Sequence, residues 1–193
     1  MLGHVLIVAM FAYFYSLHEK AGKGRTVSNF FCALFHDLPE ALTRDIISPV
    51  KRSVAGLDDL IIDYEIELIN DKILPLVPES VQGDFAYLLG LFEKEGKVCK
   101  DEFVNRTYDG EVITLIENPG EHNGEKKQTI DGRALKACDH LAAFTEATLS
   151  MAYGIRSREL ENGLELKKAY AGKTIGSVDF EKLMMQIETY LKG

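Results

Sequence analysis

Four side chains that commonly bind metal ions lie within apolar stretches of this sequence. His36 and Asp37 are adjacent at the end of NFFCALFHD, His4 lies in GHVLIVAMFAYFYS, and Asp139 lies in KACDHLAAF. A carboxylate buried among apolar side chains needs a cation or a hydrogen-bond donor as its partner, and a buried imidazole also needs a polar partner. The pattern therefore predicts that these four side chains share one polar site.

Two imidazoles and two carboxylates would form a mixed nitrogen and oxygen ligand set. Such a set suits manganese, cobalt, iron, nickel or magnesium better than it suits a closed thiolate zinc site. A divalent ion held there lowers the pKa of its bound water and supplies hydroxide near neutral pH. Glu40, three residues after Asp37, is a candidate general acid or base for that chemistry. The alternative is that Glu40 is a helix-start residue after Pro39, where it favours the helix dipole.

The remaining histidines are weaker candidates for this site. His18 and His122 lie in polar, loop-like stretches. His140 follows Asp139 directly, and successive residues of a helix point about 100° apart, so both cannot face the same ion.

Composition and charge exclude several classes of function. The 193 residues carry a net charge of -8 and 46% hydrophobic residues. Because nucleic acids and anionic membranes need a basic face, we expect neither as a partner. The three cysteines (Cys32, Cys99 and Cys138) form no CxxC pair, which predicts reduced thiols in a cytoplasmic protein.

The N-terminal run MLGHVLIVAMFAYFYSL is the most apolar part of the chain. It lacks the positive region that precedes the core of a signal peptide, and it is marginal in length for a membrane span. We interpret it as a buried helix of an all-helical domain.

The apolar spacing predicts a mainly α protein, organised as one domain over residues 1–193. We expect a helix over 1–18, a second helix capped by Ser28 or Asn29, and a helical turn in EALTRDIIS after Pro39. Further helices are predicted over 57–74, 80–95, from 131 onward, and over 177–192 with Ser177 as cap. A small β-hairpin insertion is predicted around 110–130, where EVITLIE favours strand.

The order His4, His36-Asp37, Asp139 resembles the H…HD…D signature of the HD-domain metal-dependent phosphohydrolases. The text around the signature resembles one branch, the bacterial 5'-deoxynucleotidases. The resemblance lies in GHVLIVAMFAYFYS, in FHDLPEALTRDIISPVK with its T-x-D-x-x-x-P-x-K pattern, and in KACDHLAAFTEA. Residues 75–130 match poorly, and the 102-residue step from Asp37 to Asp139 suggests an insertion there.

The resemblance implies a helical bundle that removes the 5'-phosphate of nucleoside monophosphates and forms a homodimer. It implies metal ligation by His4, His36, Asp37 and Asp139, and acid or base catalysis by Glu40. It places Thr43 and Asp45 near the substrate sugar and phosphate, and it matches Lys51 to a basic, substrate-binding residue just after the proline. Gly3 stands where the branch has the glutamate of a Ser-x-Glu-His segment, so the contacts of that segment are not carried over.

Dinuclear HD enzymes resemble H…HD…H…H…D, with two further histidines before the last aspartate. Only His122 lies between Asp37 and Asp139 here, which favours one divalent ion per chain (Mn, Co, Fe, Ni, Zn or Mg). Two alternatives stay open. One is another HD phosphohydrolase that acts on nucleoside triphosphates, cyclic nucleotides or signalling nucleotides. The other is a non-catalytic, metal-stabilised binding or regulatory module.

Overall fold

A computed structural model describes residues 2–43, 56–124 and 127–192 of the chain. Two predicted substrate-binding residues, Asp45 and Lys51, lie outside these ranges. So does most of the helical turn that was predicted after Pro39.

Three helices form the main core of the described structure: α1 (Leu2–His18), α2 (Lys23–Phe35) and a long helix that we number α6 (Gly132–Ala152). α1 packs against both of the others. Small side chains fill much of the contact and let the helices approach closely; they are Ala9, Ala12, Cys32, Ala33, Ala137, Cys138 and Ala142. The mainly α prediction is confirmed.

The predicted start of α2 is wrong. The helix begins at Lys23, so Ser28 and Asn29 lie inside it and are buried. Asn29 uses its side chain for tertiary hydrogen bonds instead: its amide donates to Asp131 (2.6 Å), and its side-chain oxygen accepts from the Asp131 backbone N–H (2.8 Å). Arg25 adds a two-point contact to the same carboxylate at 2.8 and 2.9 Å. These bonds join α2 to the residue that precedes α6.

The second part of the chain contains short helices that pack around a smaller core. These are α3 (Glu40–Thr43), α4 (Leu57–Leu68), a π-helical turn (Ile69–Ile73), a 3₁₀ turn (Leu74–Leu76) and α5 (Glu79–Leu88). The smaller core contains Ile69, Ile73, Leu89 and Leu91, with Phe35, Leu38 and Phe85 packed against it. The helix predicted over 57–74 is confirmed in position, but its last turns are π and 3₁₀.

The helix predicted over 80–95 is wrong beyond residue 88, because strand β1 (Leu91–Lys94) begins there. It pairs with β2 (Lys97–Lys100) in an antiparallel hairpin. The turn places Glu95 at φ 54° and Gly96 at φ 76°. Positive φ at both central residues is typical of a type I′ turn, whose usual sequence signal is Asn-Gly rather than Glu-Gly.

The predicted hairpin around 110–130 belongs to a larger antiparallel sheet of three strands. β3 (Arg106–Tyr108) lies between β4 (Ile113–Leu115) and β5 (Gln128–Ile130). A 3₁₀ turn (Pro119–His122) lies in the connection. The sheet leads directly into α6, so it fixes where that helix begins.

The C-terminal part contains α7 (Arg158–Leu164), a 3₁₀ segment (Glu165–Tyr170) and α8 (Phe180–Lys192), which packs on α6. Ser177 does not cap the last helix. Asp179 Oδ1 accepts a hydrogen bond from the Lys182 N–H (2.9 Å), and Ser177 donates to Glu19 near the end of α1. The cap prediction is wrong because Ser177 lies two residues before Asp179, the residue that caps the helix.

α1 is buried on one side only, which differs from the buried helix that the sequence predicts. Its other side exposes apolar residues at helical spacing: Leu2, Leu6, Met10, Tyr13 and Leu17. None of the helices in the described ranges combines the length and apolarity that crossing a membrane requires.

Candidate metal centre

Three helices bring the four predicted ligands to one place. His4 lies in the first turn of α1, His36 and Asp37 follow the last turn of α2, and Asp139 lies in the second turn of α6. The side chains are mostly enclosed: His36 is 4% exposed and Asp139 is 17% exposed.

The distances between the four side chains suit donors that share one cation. His4 Nε2 lies 3.0 Å and His36 Nε2 lies 3.9 Å from Asp139 Oδ1. His36 Nε2 also lies 3.1 Å from Asp37 Oδ1. Ligating atoms of His4, His36 and Asp37 all lie within 4.8 Å of one another. Donors about 2.0–2.2 Å from a common ion lie roughly 3–4 Å apart, as these do.

The hydrogen bonding of His36 shows why a cation fits here. His36 Nδ1 donates to the Ala33 carbonyl at 2.8 Å, since a carbonyl can only accept. In the neutral imidazole, Nε2 then carries a lone pair that faces carboxylate oxygens of Asp37 and Asp139. Acceptors that face one another repel, so this arrangement calls for a positive charge between them. A backbone partner on the far nitrogen is the usual device that orients a metal-binding histidine.

Glu146 holds the other side of His4 and was not predicted. Its Oε2 lies 3.3 Å from His4 Nδ1, so His4 can keep its proton on Nδ1 and present Nε2 to the site. The only sequence signal for this residue is its spacing. Glu146 follows Asp139 by seven residues, two helical turns, and therefore lies on the same face of α6.

Burial and neighbouring charges shift three pKa values in the site. Burial alone would raise the pKa of Asp139, but His4 and Lys136 hold it well below its usual range. The hydrogen bond to Asp139 raises the pKa of His4 despite its partial burial. Burial raises the pKa of Asp37. Asp139 is thus the more strongly stabilised anion of the two carboxylates.

A cavity of about 380 Å³ opens beside these residues. His36, Asp37 and Glu40 line one side of it, and Lys100 and Glu102 line another. Glu40 begins α3 and its N–H donates to the Asp37 carbonyl at 3.0 Å, which holds it near the candidate ligand. Thr43 ends α3 and is not among the lining residues, so the described structure brings Glu40, but not Thr43, to this cavity.

Part of the cavity wall comes from Asp101 and Glu102, at the start of a loop (residues 101–104) that no sequence pattern connects with the site. Arg106 lies behind this loop, fully buried, with Nη1 3.0–3.2 Å from the carbonyl oxygens of Asp101, Glu102 and Val104. A Cβ atom on Gly132 would meet the Phe103 carbonyl group at 2.3–2.4 Å. The loop is therefore held tightly against α6 and cannot shift without moving the wall.

Lys100 joins this wall to α4 through two buried ion pairs. Its ammonium lies 3.0 Å from Glu65 and 2.9 Å from Glu102 and is only 6% exposed. The two carboxylates raise the pKa of Lys100 although burial opposes them. Lys100 in turn lowers the pKa of Glu102 against the effect of burial.

The other candidate positions lie away from the cavity. His140 Nδ1 pairs with the Tyr170 hydroxyl at 2.8 Å, as its angular offset from Asp139 requires. A larger cavity of about 570 Å³ lies between α1 and α8, but it is mainly apolar. The described cluster of potential metal ligands lies at the smaller cavity, so we place the candidate site there.

Replacing Lys100 with methionine should destabilise the protein by about 3–5 kcal/mol at pH 7, because it leaves buried carboxylates uncompensated. In the parent protein, Lys100 lowers the pKa of Glu102 in the folded state. The ionised Glu102 therefore stabilises the fold at pH values above its ordinary pKa, and this stabilisation is lost as the pH falls through its folded-state pKa. In Lys100→Met, protonation of Glu102 instead removes the uncompensated buried charge. The free energies of unfolding of the two proteins, measured by urea denaturation, should therefore differ less at pH 4 than at pH 7.

Lys97→Met is the matched control, since Lys97 lies on the same strand in an exposed pair with Asp63. Its loss should cost less than about 1 kcal/mol at either pH. An equal loss from both substitutions would contradict the structural role assigned to Lys100.

Comparison with protein-family models gives one match, to the HD domain, over residues 1–167. Neither the curated proteins nor the solved structures gave a match to this chain. The family match spans most of the sequence and includes His4, the His36-Asp37 pair and Asp139. The chain therefore belongs to the HD-domain family, within the superfamily of metal-dependent phosphohydrolases.

Proposed function

We propose that the protein is a phosphomonoesterase that removes the 5'-phosphate of nucleoside or deoxynucleoside monophosphates with the help of one divalent ion. The observation that carries this proposal is the convergence of His4, His36, Asp37 and Asp139, with Nε2 of His36 directed at carboxylate oxygens. Family membership supports the reaction type. The resemblance of the HD segment to 5'-deoxynucleotidases supports the substrate class.

The four residues would hold the ion as two imidazole nitrogens and two carboxylate oxygens. When bound, the ion supplies an activated water and polarises a phosphoryl oxygen; Mn, Co, Fe, Ni, Zn and Mg all remain candidates for it. His36 is pre-oriented by the Ala33 carbonyl, and His4 is oriented by Glu146. These contacts keep both rings in place before an ion arrives.

Glu40 is the proposed acid or base. Glu40 lines the same cavity as His36 and Asp37, which supports a role in orienting the attacking water or protonating the departing sugar oxygen. Its position at the start of α3 also fixes its backbone beside Asp37.

The cavity suits a small substrate, since about 380 Å³ falls at the lower end of the usual range for ligand pockets. Contacts from Thr43 and Asp45 to the sugar and phosphate, and a further substrate contact from Lys51, are proposed on the resemblance of their segment. A triphosphate would need more basic residues than Arg44, Lys51 and Arg52 in that segment provide. We therefore favour monophosphates.

The wild-type protein should release phosphate from nucleoside monophosphates when Mn²⁺ or Co²⁺ is added, and it should bind about one divalent ion per chain. Asp37→Ala should lose both properties, because it removes a ligand. A colorimetric phosphate assay over mono-, tri- and cyclic nucleotides, together with elemental analysis, measures both. Asp71→Ala, at an exposed acidic residue, is the control and should behave as wild type.

Each outcome of that panel has a definite meaning. Preference for triphosphates or cyclic nucleotides would replace the proposed substrate with another HD-type one. If the metal-loaded protein released no phosphate from any nucleotide of the panel, a non-catalytic binding or regulatory module would be favoured. Full metal content in Asp37→Ala would refute the ligand assignment.

Glu40→Gln should lower kcat by about 10²–10⁴ while leaving the metal content unchanged, because it removes proton transfer and not a ligand. Steady-state kinetics with a nucleoside monophosphate tests this. Glu67→Gln, at an exposed position on α4, should leave kcat unaltered. Wild-type turnover by Glu40→Gln would show that another group moves the proton.

We also propose that the protein acts in the cytoplasm as a homodimer. The three cysteines are free thiols, and the uncovered side of α1 presents Leu6, Met10, Tyr13 and Leu17, each at least 41% exposed. Apolar patches of this kind commonly mark association surfaces.

Sedimentation equilibrium should give a dimer for wild type and a monomer for Met10→Glu. Val112→Glu, at another exposed apolar residue, should remain dimeric; a monomeric wild type would reject the proposal.

A further inference from the structure

Lys136 lies one helical turn before Asp139 on α6, and its ammonium contacts the carboxylate of that residue. Nζ lies 3.2 Å from Oδ2, whereas Oδ1 is the oxygen that faces His4 and His36. The lysine and the candidate ion position therefore lie on different oxygens of one carboxylate. A group that bound at the ion would lie within a few ångströms of the ammonium.

Phe103 holds the lysine side chain in this position. The ammonium lies 4.2 Å from the centre of the Phe103 ring, within range of a cation–π interaction. The same ring lies 5.8 Å from the His36 ring, so it links the lysine to the metal centre. The side chain of Lys136 is 44% exposed, which leaves it accessible to a ligand from solvent.

The charge of the centre gives this lysine a role. The carboxylates of Asp37, Asp139 and Glu146 together exceed the charge of a divalent ion by one. A phosphate dianion would therefore approach a negative site unless another cation were present. Lys136 offsets that excess among these groups, and in phosphoryl transfer such cations stabilise the charge on the phosphoryl oxygens.

Two other cationic side chains that the structure describes beside residues 101–104, Lys100 and Arg106, already bind other groups. Lys100 is enclosed between Glu65 and Glu102. Arg106 is fully buried and directs its guanidinium to backbone carbonyls. Of these three, Lys136 alone combines contact with the candidate ligand set and access to solvent.

We infer that Lys136 is a catalytic residue that binds a phosphoryl oxygen of the substrate beside the metal ion. This inference rests on the proposed function, because it assumes a phosphate ester at that ion. It adds a phosphate contact on α6 that is independent of the substrate contact proposed for Lys51.

Isothermal titration of the metal-loaded protein with inorganic phosphate tests the inference without relying on turnover. Lys136→Met should weaken phosphate binding by about 10–100-fold, as expected for loss of a charged hydrogen bond. It should lower kcat/KM by about 10²-fold and keep the metal content of wild type. Lys136→Arg keeps the charge and should retain most of the phosphate affinity.

Lys168→Met is the matched control, because it also removes a lysine that pairs with a carboxylate three residues away, Glu165, but does so away from the centre. It should leave phosphate affinity unchanged. Unchanged phosphate affinity in metal-loaded Lys136→Met would overturn the inference. Loss of the metal from Lys136→Met would also overturn it, since the lysine would then act by positioning Asp139.

Failure of the proposed function gives a different result. If wild type hydrolyses no nucleotide but binds phosphate with an affinity that depends on Lys136, the phosphomonoesterase proposal fails and the phosphate contact stands.

Discussion

The enclosed carboxylate of Asp139 is the constraint around which the described structure is organised. It lies on a helix whose neighbouring residues, Ala137 and Cys138, are buried in the main core. An ion in such surroundings is costly unless cations or donors surround it. His4 approaches from α1, His36 from the end of α2, and Lys136 from α6 itself. The packing of these three helices against one another therefore also assembles the candidate site.

The same packing depends on a second buried ion pair. Arg25 and Asn29 on α2 bind Asp131, the residue that precedes α6. This network fixes the start of α6 relative to α2, and Asp139 lies two turns further along. Because buried ionic networks tolerate little change in geometry, we interpret it as the contact that sets the register of the ligands on the two helices.

The segment between the His36-Asp37 pair and Asp139 contributes residues to the surroundings of the candidate site. Its hairpin brings Lys100 between Glu65 and Glu102, and its loop 101–104 forms part of the cavity wall. Arg106 binds the loop from behind through carbonyl oxygens. This segment thus shapes the space beside the candidate metal centre.

The sequence by itself determined the helical class, most of the helices and the four residues that converge on the centre. Charged residues in apolar runs are few, and each must find a partner, so their types and positions were informative. The starts of α2 and α8 and the strand β1 were predicted wrongly, because Asn29 is used in a tertiary contact, Asp179 rather than Ser177 caps α8, and Glu-Gly forms a turn that usually contains Asn-Gly. Only the tertiary structure identified Glu146, Phe103, Lys100 and Lys136 as neighbours of the site. The contacts of Phe103 and Lys100, and that of Glu146 with His4, join elements far apart in the chain, and local sequence patterns carry no information about those distances. Lys136 lies on the same helix as Asp139, but its contact with the Phe103 ring likewise depends on the tertiary structure.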